Sequence, residues 1–241
     1  MNPKVGVVIP NYNYESYVVQ AVESVLRQTY RNIDVVVVDD GSTDESLRVL
    51  ERFGSEIKVI SQVNKGVSSA RNAGVEAVEG EILAFLDSDD VWRPTKIERQ
   101  VEKFMADPKV GLVHTGVVDI DAEGHPIREH LEGASGDAGR RLVELKPAIN
   151  GGCSSAAVQR ELFEKVGGFD TDLSTSADWD LWVRICAEAQ AAYVGEVLLE
   201  YRIHGSNMHS NVPRMESEMF HALGKAVASG LVSNPSSSFG S

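Results

Sequence analysis

The chain has 241 residues, and 23 Lys plus Arg against 36 Asp plus Glu give it a formal charge of −13. That acid excess excludes a nucleic-acid partner, because affinity for a polyanion is built mostly from cations. With 42% hydrophobic and 24% charged residues the composition is that of a globular protein long enough to bury a sizeable core, either one large domain or a domain with an appendage.

Met1-Asn2-Pro3-Lys4 leads directly into an apolar run, and no run approaches the roughly 20 residues of a spanning helix. The expectation is a chain without signal peptide or membrane span. The first hundred residues then alternate short β-branched runs with amphipathic stretches, the rhythm of βαβ units. Val5–Ile9 is the first predicted strand. After the Pro10-Asn11-Tyr12-Asn13 breaker comes a helix in which Tyr17, Ala21, Ser24, Val25 and Gln28 share a face. Val35–Val38 is a second strand, apolar on both faces as in the interior of a parallel sheet. Ser42 or Thr43 is placed to cap a helix running to about Phe53, with Asp44 and Glu45 in its first turn.

Ile57–Ile60 is a third strand and Ser68–Val78 a helix closed by Glu79-Gly80. Ile82–Leu86 runs into Asp87-Ser88-Asp89-Asp90, and a helix is expected from Pro94 with Ile97, Val101 and Phe104 buried. Gly111–Val118 is another strand. Residues 121–140 are glycine-rich and charged without periodicity, and read as a mobile loop or lid. Order resumes with a strand at Ala156–Val158, a short helix Arg160–Val166 and a helix from about Asp178 to Ala189. Trp179, Trp182, Val183 and Cys186 fall on one face of that helix.

Cys153 and Cys186 lack the spacing of a zinc ribbon or a disulfide framework, so a reducing cytoplasm is the expected location. The segment 234–238 is low in complexity, and there is no internal repeat.

Two acid clusters, Asp39-Asp40 and Asp87-Ser88-Asp89-Asp90, follow predicted strands. In an open α/β sheet ligands bind beyond the carboxyl ends of the strands, so both clusters face one cleft. Asp40, Asp44 and Asp90 serve equally well as turn formers and caps. Asp87 and Asp89 are harder to explain that way. A spacing of two in extended chain puts both carboxylates on one side, where they repel unless they share a cation. Mg2+ or Mn2+ suits such oxygen ligation and leaves positions for phosphate oxygens. Arg71, on the helix that opens after Asn64-Lys65-Gly66, is either a phosphate partner or a solvated side chain.

Asp178 and Asp180 either satisfy a helix N-terminus or supply a general base beside Trp179 and Trp182, which suit a sugar ring; spacing alone does not choose between the two carboxylates. His204 becomes a third metal ligand only if the fold returns it to the cleft.

Taken together the chain resembles the family-2 inverting glycosyltransferases of the GT-A fold. The resemblance runs in order from Val7-Val8-Ile9-Pro10-Asn11-Tyr12-Asn13 through Ser24-Val25-Leu26-Arg27-Gln28-Thr29 and Val37-Val38-Asp39-Asp40-Gly41-Ser42. It continues with Asn64-Lys65-Gly66, Ala70-Arg71-Asn72, Leu86-Asp87-Ser88-Asp89-Asp90, Gly167-Gly168-Phe169-Asp170 and Asp178-Trp179-Asp180-Leu181-Trp182. It implies an α/β fold with a Rossmann-like, mostly parallel sheet, a nucleotide-diphospho-sugar donor and inversion by a single displacement. It further implies that Asp39 contacts the base and that Pro10, Asn11 and Tyr12 line the nucleotide pocket with Arg71, Asp87 and Ser88. Asp87 and Asp89 match its metal motif, Asp89 being the direct ligand, with His204 near the metal or diphosphate. Asp178 matches its base. The family commonly has Glu before that Asp; Ala177 stands here, a departure that bears on acceptor contacts.

The resemblance covers about residues 4–205, which divides the chain into a catalytic domain at 1–210 and a C-terminal helix and tail at 211–241. Within the domain the nucleotide-binding half ends near 118 and the acceptor half follows. The acceptor is expected to be a saccharide or lipid-linked hydroxyl, and UDP the nucleotide, with dTDP and GDP open. A nucleotidyltransferase would need a Gly-rich basic loop where Pro10-Asn11-Tyr12-Asn13 stands, and a dinucleotide oxidoreductase G-x-G-x-x-G at that place. A non-catalytic nucleotide-sugar-binding module is the remaining alternative. Met215, Met219, Leu223 and Val227 form a stripe suited to core, to a homodimer interface or to peripheral contact with the inner face of a membrane.

Overall fold

The computed structural model describes residues 2–136, 138–205, 207 and 212–230. The apolar runs become β1 (Val5–Asn11), β2 (Ile33–Asp39), β3 (Lys58–Ser61) and β4 (Ile82–Phe85), separated by α1 (Val18–Leu26), α2 (Ser46–Leu50) and α3 (Val67–Ala77). A short β5 (Val91–Trp92) and α4 (Lys96–Ala106) lead to β6 (Val110–Ile120), which turns into β7 (Pro126–His130). Then follow α5 (Ala138–Val143), α6 (Gly152–Ser155), β8 (Ala157–Gln159), α7 (Arg160–Lys165), α8 (Ala177–Cys186), β9 (Gln190–Arg202) and α9 (Val212–Ala228).

The strands form one sheet in the order β3-β2-β1-β4-β8-β6-β9-β5, with β7 added on β6. The pairs β3-β2, β2-β1, β1-β4 and β6-β9 are parallel, and β8 runs antiparallel between β4 and β6. The carboxyl ends of β1, β2, β4, β6 and β9 therefore share one edge. Alternation decides the two faces. Val5, Val7 and Ile9 join α1 and α4 in one core, while Val8, Val36, Val38, Leu83 and Phe85 join α3 and α8 in the other. A run buried on both faces needs no polar alternation, which is why these strands read as continuous hydrophobics. At Gly74 a Cβ would lie 2.3 Å from Val8 Cγ1, so the absent side chain is what lets α3 lie on β1.

Three expectations are corrected. Ser42 and Thr43 do not cap a helix that starts beside them. Ser42 Oγ accepts from Asn13 N and Thr43 N donates to Asn13 Oδ1, tying this loop to the turn after β1. The helix starts only at Ser46, where Asp44 Oδ1 takes the Ser46 amide, and it tightens into a 3-10 turn over Glu51–Glu56. The helix expected from Pro94 begins at Lys96, because the Pro94 carbonyl accepts from Thr29 N. The stretch 121–140 contains β7, paired antiparallel with β6 and fastened by Asp119 and His130 at 2.7 Å.

Helix α9 rests on α8 through Ala222 and Ala226. The stripe Met215, Met219, Leu223 lies half-buried beside that contact, and Val227 is exposed. The third inward residue is Glu218. Its carboxylate accepts from Ser174 N, Thr175 N and Ser176 N at 2.9, 2.7 and 3.2 Å, from both hydroxyls of Ser174 and Thr175, and from Arg214. Burial works to raise its pKa, but the donors from Arg214, Ser174 and Thr175 outweigh it and hold the carboxyl at about 2, against an ordinary 4.5.

A depressed carboxylate stabilises the fold above its unfolded pKa and loses that contribution as pH falls through the folded one. Glu218→Gln is therefore expected to cost about 3 kcal/mol at pH 7. In denaturant titrations at successive pH values, the gap to wild type should narrow from pH 4.5 towards 2. A gap that stays constant across that window would contradict the assignment.

Candidate active site

The shared carboxyl edge opens into a cleft of about 550 Å³. Its first wall is the end of β1 and the turn after it, with Pro10, Asn11, Tyr12 and Tyr14, facing Asp40 and the Asn64–Gly66 turn. Asp40 builds that wall. Its carboxylate accepts from Lys65 N and Gly66 N at 2.9 and 2.8 Å and from the Gln62 amide, so it shapes the entry to α3, where Gly66 takes φ 88°. Asp39 lies beneath the lining and is fully buried. One of its oxygens accepts from Asn11 Nδ2 at 3.0 Å and the other from Ser42 N at 3.1 Å.

The floor is the segment after β4. Asp87 and Ser88 line the cleft, and Asp87 Oδ1 accepts from Arg71 Nη2 at 2.6 Å. The buried Arg71 lies against the Phe169 ring, 5.2 Å from its centroid. Burial opposes its charge, yet Asp87 beside it raises its pKa above the ordinary value. Asp89, also on the cleft, accepts from Asn207 Nδ2 at 3.3 Å and meets His204 Nε2 at 3.0 Å. The fold thus returns His204 to the acid cluster, where its ring stacks on Tyr17. Burial, then the neighbouring Asp87, raise the Asp89 pKa, and His204 opposes them. Asp90 is buried behind, its carboxyl pushed far up by burial and by Asp89 and Asp87.

Carboxylate oxygens suit Mg2+ or Mn2+, and two repelling carboxylates give a cation its site. The residues therefore fit the ion, with Asp89 and His204 already in contact. Asp87 stands apart from them, drawn to Arg71. Among the described residues the three-ligand set with atoms within 4.8 Å of one another is instead Asp121, Glu123 and His125, on the exposed β6-β7 turn.

The opposite wall belongs to α8 and α6. Asp178 lines the cleft, while Asp180 turns away to Arg184 at 2.9 Å and Lys225 at 3.2 Å. That separates the two carboxylates that spacing left equivalent. Asp178 Oδ1 accepts from Trp179 N, and Oδ2 lies 3.0 Å from where a Gly152 Cβ would stand, so the α6 glycine leaves room for it. Burial raises the Asp178 pKa, with Arg71 opposing. The expected tryptophan contact with a sugar is corrected: Trp182 packs in the core, Trp179 against it, and the aromatic lining comes from Tyr12, Tyr14 and Tyr201.

Sequence reasoning gave Arg202 no role. It is 2% exposed, and it donates from Nε to the Asp89 carbonyl at 2.8 Å, from Nη1 to the carbonyls of Asp121 and Ala122 and from Nη2 to Gln20 Oε1; its own amide donates to Asp90 Oδ1. The available signal was an arginine ending an apolar strand in a chain with a buried acid cluster to hold.

A mostly parallel sheet with a cleft at the carboxyl edge of its strands is the architecture of the GT-A fold. The comparisons carry the assignment further. The description "Glycosyl transferase family 2" matches residues 6–167, and the chain belongs to that family. An uncharacterized glycosyltransferase of Nostoc sp. is 38% identical over 233 residues, spanning 89% of this chain and 69% of its own. The putative teichuronic acid biosynthesis glycosyltransferase TuaG of Bacillus subtilis is 31% identical, with 87% and 82% covered. An uncharacterized glycosyltransferase of Rickettsia conorii is 34% identical over 86% of this chain, but that match spans only 36% of its own length. In fold, the chain is similar to S. aureus TarS 1-349 in complex with UDP-GlcNAc (TM-score 0.68, 19% identity, 86% and 61% covered). It is also similar to the mannosyltransferase PcManGT from Pyrobaculum calidifontis in complex with GDP-Man and Mn2+ (TM-score 0.71, 22% identity, 95% and 65% covered). No helix among the described residues is long and apolar enough to cross a membrane.

Arg202→Met keeps the side chain's bulk but strips the Asp89 loop of its cation. Leaving buried acceptors unpaired is expected to cost roughly 3–5 kcal/mol in urea unfolding. A loss below about 1 kcal/mol, the scale of a surface pair, would show that Arg202 does not hold the cluster.

Proposed function

We propose that the chain transfers a sugar, with inversion, from a nucleotide-diphosphate donor to an acceptor hydroxyl in the synthesis of a polysaccharide or other glycoconjugate. The observation that carries this reading is the cleft itself. Asp87, Asp89 and Arg71 occupy its floor, and Asp178 alone of the α8 carboxylates faces them from the opposite wall. UDP is the nucleotide we favour, supported by the likeness to TarS with UDP-GlcNAc; the acceptor we propose is a saccharide or lipid-linked hydroxyl, and the relationship to TuaG, a putative teichuronic acid biosynthesis glycosyltransferase, supports a role in polysaccharide synthesis.

In this reading the nucleotide lies in the half up to about residue 118, between the Pro10–Tyr12 turn and the Asp40 wall, with Asp39 bracing that corner from below. The acceptor enters along the half from 119 to 210. Asp87, Asp89 and His204 would hold Mg2+ or Mn2+, which when bound offsets the charge on the leaving diphosphate. Arg71 holds the Asp87 carboxylate through Oδ1.

Asp178 accepts the proton of the acceptor hydroxyl. That oxygen forms its bond to the anomeric carbon as the carbon–phosphate oxygen bond breaks on the opposite face, the electron pair leaving with the diphosphate. Burial raises the Asp178 pKa, which makes it a stronger base than an exposed carboxylate.

Asp178→Asn should lower transfer by about 10²–10⁴-fold, the contribution of a positioned general base, while nucleotide binding stays intact. Near-wild-type turnover with the same acceptor would contradict the assignment, and loss of nucleotide affinity would place Asp178 in donor binding instead.

A further inference from the structure

Helix α9 lies outside the residues that the family description matches, yet it reaches the turn that carries the proposed base. Ser174 and Thr175 of that turn line the cleft, and Ser176 precedes α8 without making a side-chain cap of its own. The donors of this turn converge instead on Glu218, from 42 to 44 residues further along the chain. Two backbone amides and two hydroxyls come from Ser174 and Thr175, and a third amide from Ser176.

Amides at a helix entrance attract carboxylates. Asp180 is held by Arg184 and Lys225. Glu218 occupies the turn. Asp178, in the first turn of α8, bonds through Oδ1 to the adjacent Trp179 amide while Oδ2 stays on the Gly152 side. Without Glu218 the amides of 174–176 would lose their acceptor, and the turn that leads into α8 its tether to α9.

We propose that Glu218 is a positioning residue: by satisfying the 174–176 turn from α9, it leaves the Asp178 carboxylate in the cleft. The inference rests on the reading of Asp178 as the base, and it makes α9 part of the working site.

The test uses the full chain and measures release of UDP from UDP-sugars, with the donor that wild type turns over fastest, alongside calorimetry of UDP with Mn2+. Glu218→Ala should lower kcat by about 10²-fold, the scale of an ångström-sized misplacement, with the affinity for UDP unchanged because the nucleotide wall is built by other residues. A variant that melts earlier but keeps wild-type kcat overturns the proposal, as does a parallel loss of kcat and UDP affinity. If Glu218→Ala does not fold, Glu218→Asp keeps the charge and withdraws the carboxylate by one methylene. A fallen kcat with intact UDP affinity supports the clamp, and wild-type kcat overturns it. A wild-type protein with no turnover and no affinity for UDP, GDP or dTDP would sink the reading of the site and this inference with it. A wild type that turns over beside an equally active Glu218→Ala overturns the clamp alone.

Discussion

Three carboxylates in four residues, Asp87, Asp89 and Asp90, gather at the carboxyl edge of the sheet, Asp87 half-buried and the other two buried, and the rest of the site is arranged around their repulsion. Burial raises the pKa of both Asp89 and Asp90, and each also feels its acidic neighbours. Such a cluster persists only with compensating donors in fixed positions. Arg71 reaches Asp87 from α3, Arg202 fixes the chain at Asp89 and Asp90 from β9, and His204 and Asn207 meet the Asp89 side chain.

The same arrangement links distant parts of the fold to one place. β9 must run parallel to β6 for Arg202 to arrive at the cluster, and the register brings Asp119 against Tyr201 and Ile120 against Arg202. The β6-β7 turn is held by the same guanidinium through the carbonyls of Asp121 and Ala122. On the opposite wall, α8 divides its carboxylates by partner: Asp180 is neutralised by cations, and Asp178 is left to the cleft. In a chain with a formal charge of −13, the buried guanidiniums of Arg71 and Arg202 both sit at the acid cluster.

Much of this was legible in the sequence, for physical reasons. The strands announced themselves because burial on both faces demands uninterrupted apolar runs, and the acid clusters because they followed those runs. What escaped was long-range. Nothing near Ser42 reveals that its hydroxyl serves Asn13 across the loop instead of a helix start. Residues 126–130 lack alternation because β7 is an exposed edge strand held by its pairing with β6. Asp178 and Asp180 are equivalent by spacing, and only the positions of Arg184 and Lys225 distinguish them. Arg202 and Glu218 were invisible because each acts on a segment far away in the chain. Trp179 and Trp182 pointed to a sugar platform, but the helical face that carries them is the one that the core requires.

The central claim is that the acid cluster becomes a donor site when a divalent cation joins it. Calorimetric titration of UDP into the protein, with Mn2+ present and with the metal chelated, in wild type and in Asp89→Asn, tests it directly. The account predicts binding only with Mn2+ in wild type and its loss in the variant. Equal affinity with and without the metal, or Mn2+-dependent binding undiminished in Asp89→Asn, would contradict it.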